Sequence, residues 1–126
     1  MITVLVVGAG GFLGAIARYG VGRGLGEASS GSHWIPYGTL TVNIVGCLLI
    51  GTVAGLIDHR NVLSAELRAF LMVGLLGGFT TFSAFGYETF TLARAGDINA
   101  TVANIGIQVI AGLGAVWLGY RLATVG

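Results

Sequence analysis

Apolar positions in this chain run together in long blocks rather than marking one face of each segment. Residues 38–57, 69–87 and 98–120 pass without one Asp, Glu, Lys, Arg or His, and residues 1–17 do the same before Arg18. A helix needs about 20 apolar residues to cross a bilayer. Four transmembrane helices are therefore expected, at about 2–25, 38–57, 67–93 and 98–122, in one domain covering residues 1–126. Nothing of domain size is left between them. The N-terminal block lacks a basic leader, continues past the length of a signal-peptide core and shows no small-residue cleavage site, so it is read as a retained helix.

Polar positions punctuate the blocks. Residues 26–37 are Gly/Ser-rich (Ser29, Ser30, Gly31, Ser32) and close at Pro36, as a loop should. Residues 58–64 end at Ser64, with Glu66 placed as an acid in a first helical turn, which marks Ser64 as an N-cap. Residues 94–97 form a tight turn through Gly96. Small residues recur four apart, at Gly10/Gly14, Gly20/Gly24, Gly51/Gly55, Gly74/Gly78 and Ala111/Ala115. In lipid, where apolar contact gives no net drive between helices, such pairs let backbones approach.

Composition strengthens the membrane reading. Of 126 residues, 55% are hydrophobic and 9% charged, too few charges to cover a small soluble domain. A net charge of +1 provides no footprint for nucleic acid. Cys47 is the only cysteine, so no internal disulfide forms. Basic residues are all arginines: Arg60, Arg68 and Arg121 fall on one side of a four-span chain, and Arg18, Arg23 and Arg94 on the other. That balance supplies no positive-inside bias. It leads to the expectation that the chain inserts both ways round and pairs as an antiparallel, dual-topology homodimer.

One motif misleads. Gly8, Gly11 and Gly14 follow Val4–Val7 with the spacing of a dinucleotide-binding loop. A nucleotide fold needs further strands with amphipathic helices and an acid about 20 residues on. The following segments are uniformly apolar, and Glu27 falls in the Gly/Ser loop, so this reading is set aside.

Candidate chemistry concentrates in the third block. Gly77-Gly78 followed by the β-branched Thr80-Thr81 makes a weak helix centre, and a break over 77–82 would bare backbone groups that are tolerated in a membrane only where they line a cavity or bind something. Carbonyls at a break suit a small hard cation. A continuous helix with glycines packed on a neighbour is the other reading. Phe79, Phe82 and Phe85 share one helix side; such stripes are usually core, yet ring edges carry partial positive charge and can meet a desolvated anion. Asn43, with Thr39 a turn before it, either bonds a neighbouring helix or turns its NH2 donors toward an anion. Asn104 and Gln108 form an i,i+4 amide pair on the last block. Arg18 and Glu88 sit nearest to span interiors, either at a vestibule or snorkelling to the interface. His33 and His59 lie in separate loops, and no nucleophile–base or metal-ligand spacing suggests an enzyme.

Gly77-Gly78-Phe79-Thr80-Thr81-Phe82-Ser83-Ala84-Phe85, together with Thr39-Leu-Thr-Val-Asn43-Ile-Val-Gly46, Gly14-Ala-Ile-Ala-Arg18-Tyr19 and Tyr87-Glu88-Thr-Phe90, resembles the Fluc (CrcB) fluoride channel family along the whole chain. The resemblance implies a dual-topology antiparallel homodimer in the bacterial inner membrane, with two pores that export fluoride passively and lower its cytoplasmic level. It implies a central structural Na+ held by the backbone carbonyls of Gly77 and Thr80 from each subunit. It places Asn43, Thr81, Phe82, Ser83 and Phe85 on the fluoride pathway, with Arg18 and Glu88 at the vestibules. The last helix departs from the family's hydroxyl-lined face, presenting Asn104, Gln108, Gly112 and Val116 instead. The competing classes are a small dual-topology multidrug-type transporter and a structural membrane protein. The first needs an acid deep in the first span, which residues 1–17 lack, and the second leaves the Phe/Asn/Ser constellation without a purpose.

Overall fold

The computed structural model describes residues 1–28 and 35–125. Ser29, Ser30, Gly31, Ser32 and His33 of the first connection lie outside the described residues. The architecture is all-helical: α1 (Ile2–Ala28), α2 (Tyr37–Arg60), α3 (residues 65–79), α4 (Phe82–Arg94) and α5 (Ile98–Thr124). Four units, Ile2–Gly26, Tyr37–Arg60, Ala65–Arg94 and Ile98–Thr124, are long and apolar enough to cross a membrane. The expected spans are all present. α1 continues past Leu25 to Ala28, so Glu27 is on its last turn rather than in a loop.

The ends follow the local chemistry. Ser64 caps α3 by accepting from the Leu67 N–H at 3.2 Å. Asp97 caps α5 by accepting from the Ala100 N–H at 2.9 Å. Gly96, at φ +78°, makes the reversal between α4 and α5 in a backbone region that a side chain would resist. At the opposite end Asn61 takes a left-handed conformation, φ 45° and ψ 35°, to end α2. Its Oδ1 then accepts from Arg68 Nη2 at 2.7 Å, while Arg68 Nε donates to Leu63 O at 3.0 Å, tying the connection down.

The third span is the irregular one. Ala69–Leu76 is wound as a π-helix, with turns wider than those of an α-helix. A short α turn, Gly77–Phe79, follows. The chain then extends at Thr80 (φ −85°, ψ 160°) and Thr81 (φ −151°, ψ 119°) before α4 begins. The break expected over 77–82 is thus confined to two residues. Gly77 is helical (φ −63°, ψ −38°), so the glycines are not the weak point. The β-branched pair is.

The glycine pairs serve close approach instead, and two of them meet. α1 lies along α3 so closely that a Cβ on Gly10 would sit 2.8 Å from Leu75 N, and one on Gly14 2.8 Å from Phe79 N. From the other side, a Cβ on Gly74 would sit 2.7 Å from Val7 O and one on Gly78 2.6 Å from Gly11 O. α2 and α5 interlock likewise, with Gly51 against the Val116 backbone and Gly55 2.8 Å (by its added Cβ) from Tyr120 O. Gly20 and Gly24 meet nothing within 4 Å among the described residues, so the packing expected of that pair is not found there. Two helix pairs, α1 with α3 and α2 with α5, therefore frame the break.

The interior is small: Val42, Leu76, Ala100 and Asn104 are buried. Large apolar side chains cover the outside, among them Phe12, Ile110 and Trp117. A surface of this kind is at rest only against lipid or another protein face.

Candidate functional site

Opening a helix inside a membrane strands the peptide groups at the opening, and each must find a partner. Asn43 on α2 supplies both partners for Thr81. Its Oδ1 accepts from the Thr81 N–H at 2.8 Å, and its Nδ2 donates to Thr81 O at 3.0 Å. One carboxamide thus bonds both faces of a single residue, as a neighbouring strand would. Thr81 then caps α4: its Oγ1 accepts from the Ala84 N–H at 3.2 Å and lies 3.2 Å from Ser83 Oγ. The side chain and backbone of Thr81 together end one helix and start the next.

These bonds divert donors. In a continuous helix the Thr81 N–H would close a turn on Gly77 O, and the Ala84 N–H would close one on Thr80 O. Here the first goes to Asn43 and the second to the Thr81 hydroxyl. The carbonyls of Gly77 and Thr80, the two residues expected to hold a cation, are among those that lose their helical donors at the break. Thr80 keeps its own ties upstream, with N–H and Oγ1 donating to Leu76 O at 3.0 and 2.9 Å.

From Asn43 the hydrogen bonds continue across to α5 and α4. Asn43 Nδ2 also donates to Gln108 Oε1 at 2.9 Å. Gln108 Nε2 donates to Asn104 Oδ1 at 3.4 Å, and Asn104 Nδ2 to Thr89 Oγ1 at 2.9 Å. Thr89 Oγ1 donates to Phe85 O at 2.7 Å. This amide relay explains how a buried Asn104 is accommodated. Sequence reasoning noticed the Asn104/Gln108 pair but not its partner. The link joins residues 65 apart in the chain, and no local spacing reports it.

A cleft of about 340 Å³ opens beside the break, lined by Asn43, Thr81, Phe82, Phe85 and Gln108, with Gly77 and Thr80 also on its wall. The Phe82 and Phe85 rings stand 5.5 Å apart, tilted by 56°. Phe82 is 83% exposed, far more than a core aromatic, so the core reading of the stripe fails for it. Of the expected pathway residues, Asn43, Thr81, Phe82 and Phe85 converge on this cleft, and Ser83 reaches it through Thr81. Both N–H bonds of the Asn43 amide, expected to face an anion, are engaged within the chain.

Arg18 and Glu88 do not line the cleft. Glu88 Oε1 accepts from Thr39 Oγ1 at 2.6 Å, so a hydroxyl rather than an arginine partners it. Its Oε2 is buried without a partner among the described residues. Arg18 is half-buried on α1. No cluster of three or more His, Cys, Asp or Glu side chains occurs among the described residues.

Four spanning helices, the third opened mid-course around satisfied backbone and an aromatic-edged cleft, define a multi-pass membrane protein with a broken-helix site of the kind that ion and solute pathways use. Residues 5–120 match the family described as "CrcB-like protein, Camphor Resistance (CrcB)". The chain is 43% identical over 122 residues to the "Fluoride-specific ion channel FluC" of Methylobacillus flagellatus, covering 97% of this chain and 94% of that one. It is 44% identical over 126 residues to the protein of the same name from Rhodospirillum centenum (97% and 95% covered), and 45% identical over 117 residues to that of Paracoccus denitrificans (93% and 90%). The chain belongs to the CrcB family.

Proposed function

We propose that this protein is a fluoride-selective ion channel of the bacterial cell membrane, passing fluoride down its gradient and out of the cytoplasm rather than catalysing a reaction. The observation that carries the reading is the Phe82–Phe85 pair set against the opened backbone of Thr81, in a chain whose full-length relatives bear the name of fluoride-specific channels. Fluoride is small and holds its water tightly. A pathway must offer replacement donors while its width rejects larger halides. Amide, hydroxyl and ring-edge contacts do this without a fixed cation that would trap the ion. Thr81, Ser83, Phe82, Phe85 and Asn43 provide those group types around one cleft. Arg18 and Glu88 stand outside it, as vestibule residues would.

The functional unit in this reading is an antiparallel homodimer. Gly77 and Phe82 are exposed on the single chain, and a second copy on this face would cover both. The carbonyls of Gly77 and Thr80 fit a hard monovalent cation, since their helical donors are diverted and oxygen is the ligand such an ion takes. Two carbonyls from each of two copies would hold Na+ at the dimer axis, where it would neutralise the gathered carbonyl dipoles.

The test is ion release from liposomes loaded with potassium fluoride, measured with a fluoride electrode after valinomycin is added, alongside chloride-loaded liposomes. Rapid fluoride release without chloride release is expected. A folded, reconstituted protein that releases neither would refute the proposal.

A further inference from the structure

We infer that the outer face of α4 is a binding site for an anionic glycerophospholipid, whose headgroup phosphate is taken by Arg94 and whose acyl chain lies along Phe90 and Tyr87. The site is separate from the cleft beside the break and does not depend on which ion that cleft passes.

The two sides of α4 differ. Its inner side is tied to the rest of the chain, with Glu88 accepting from Thr39 on α2 and Thr89 accepting from Asn104 on α5. Tyr87, Phe90, Thr91 and Arg94 follow one another at i, i+3, i+4 and i+7, so they form one stripe, turned away from those ties. All four are exposed, and with Ala95 they line a second cavity, of about 360 Å³.

Arg94 gives this cavity its charge. It ends the third span, Ala65–Arg94, so its guanidinium stands where the apolar helix meets the headgroup layer. Tyr87 is seven residues nearer the break, about 10 Å deeper along the helix. A groove that runs from a cation at headgroup depth to aromatic rings at acyl depth has the polarity of a phospholipid from end to end.

Other groups already fill the usual roles of an arginine at a helix C-terminus. The carbonyls of the last turn accept from the backbone: Thr91 O from Ala95 N–H at 3.0 Å, Ala93 O from Gly96 N–H at 3.0 Å, and Leu92 O from Asp97 N–H at 3.2 Å. Of the nearby acids, Glu88 is turned to Thr39, and Asp97 Oδ1 accepts from the Ala100 N–H. Among the described residues Arg94 has no carboxylate partner, and its guanidinium carbon lies over the Phe90 ring, 5.7 Å from the centroid. A ring beneath the guanidinium steadies it and leaves the in-plane N–H groups open, the fork that takes two phosphate oxygens at once. Among the described residues no acid lines the cavity to receive the ammonium of a zwitterionic headgroup, so the site selects a lipid of net negative charge.

The test follows the melting temperature of the protein in neutral micelles as the mole fraction of phosphatidylglycerol is raised, with phosphatidylcholine and inorganic phosphate in parallel. A saturable rise is expected with phosphatidylglycerol alone. An equal rise with phosphatidylcholine, or a rise with inorganic phosphate, would overturn the assignment to an anionic lipid. Arg94→Gln should raise the half-saturating mole fraction about tenfold, the value of a lost hydrogen-bonded contact to a charged partner. Arg60→Gln removes an equal charge from the end of α2 and should leave it unchanged. Equal shifts in the two variants would mean diffuse attraction to a charged micelle, and the site would be rejected. Elution of Arg94→Gln as a smaller species than the unmodified protein in lipid-free micelles would mean that a second copy covers this face, which also rejects it. Should Arg94→Gln fail to fold, Phe90→Leu keeps the apolar wall and removes the ring beneath the guanidinium. Half-saturation should then rise roughly threefold, and an unchanged value would count against the site.

Discussion

Gly14 tests whether the site depends on how closely α1 lies along α3. A methyl group there would overlap Leu75 O and stand 2.8 Å from Phe79 N and 3.1 Å from the carbonyl carbon of Gly78. All three obstructing atoms are backbone, so no side chain can swing aside. The helices must separate by roughly 0.5–1 Å, and overpacking of this kind costs about 1–3 kcal/mol. With rigid obstructing atoms we take the upper end, about 3 kcal/mol, and subtract about 1 kcal/mol for alanine's better helix propensity, leaving a net loss of about 2 kcal/mol for Gly14→Ala. Gly8 lies on the same helix with nothing within 4 Å of an added Cβ, so Gly8→Ala should be neutral or gain up to about 1 kcal/mol. The comparison is made by reversible unfolding in mixed detergent micelles. Because Phe79 immediately precedes the extended residues Thr80 and Thr81, the Gly14 variant should also lose fluoride release, and Gly8→Ala should not. Equal stability of the two variants would refute the argument that glycine is required for contact rather than tolerated.

Two further outcomes are expected. Phe82→Ile keeps apolar bulk on the face proposed to meet the second copy but removes the ring edge, so fluoride release should fall in a protein that still elutes as a dimer; undiminished release would dismiss the ring-edge role. Replacing sodium by N-methylglucamine should lower the melting temperature, since each tenfold of a stabilising ligand above its dissociation constant is worth about 1.4 kcal/mol, and a melting temperature indifferent to sodium would dismiss the carbonyl site at Gly77 and Thr80.

The spans, the Ser64 cap and the turn at Gly96 were legible because each depends on residues close in sequence. A block of apolar residues at membrane length, Ser64 before Glu66, and Gly96 before Asp97 carry their own structural meaning. The site was legible in residue type rather than in arrangement. Thr80-Thr81 after two glycines announced a break without showing which of the two pairs would open. Only the packing of α1 on α3 shows that Gly78 is held helical against Gly11 while the threonines open. Asn43 was recognised as a lone amide in a span, yet whether it bonds a helix or faces a pathway is a question about which groups lie across from it.

The sequence by itself determined a membrane chain of four helices, where local polarity and length decide whether a segment can leave water. The tertiary structure alone decided which peptide groups are diverted at the break and which side chains receive them. Those outcomes depend on hydrogen bonds between α2, α4 and α5, such as Asn43 to Gln108, whose 65-residue separation leaves no periodic trace. In a medium without water every polar group must be partnered by protein, so the partners that remain free are settled only when the helices come together.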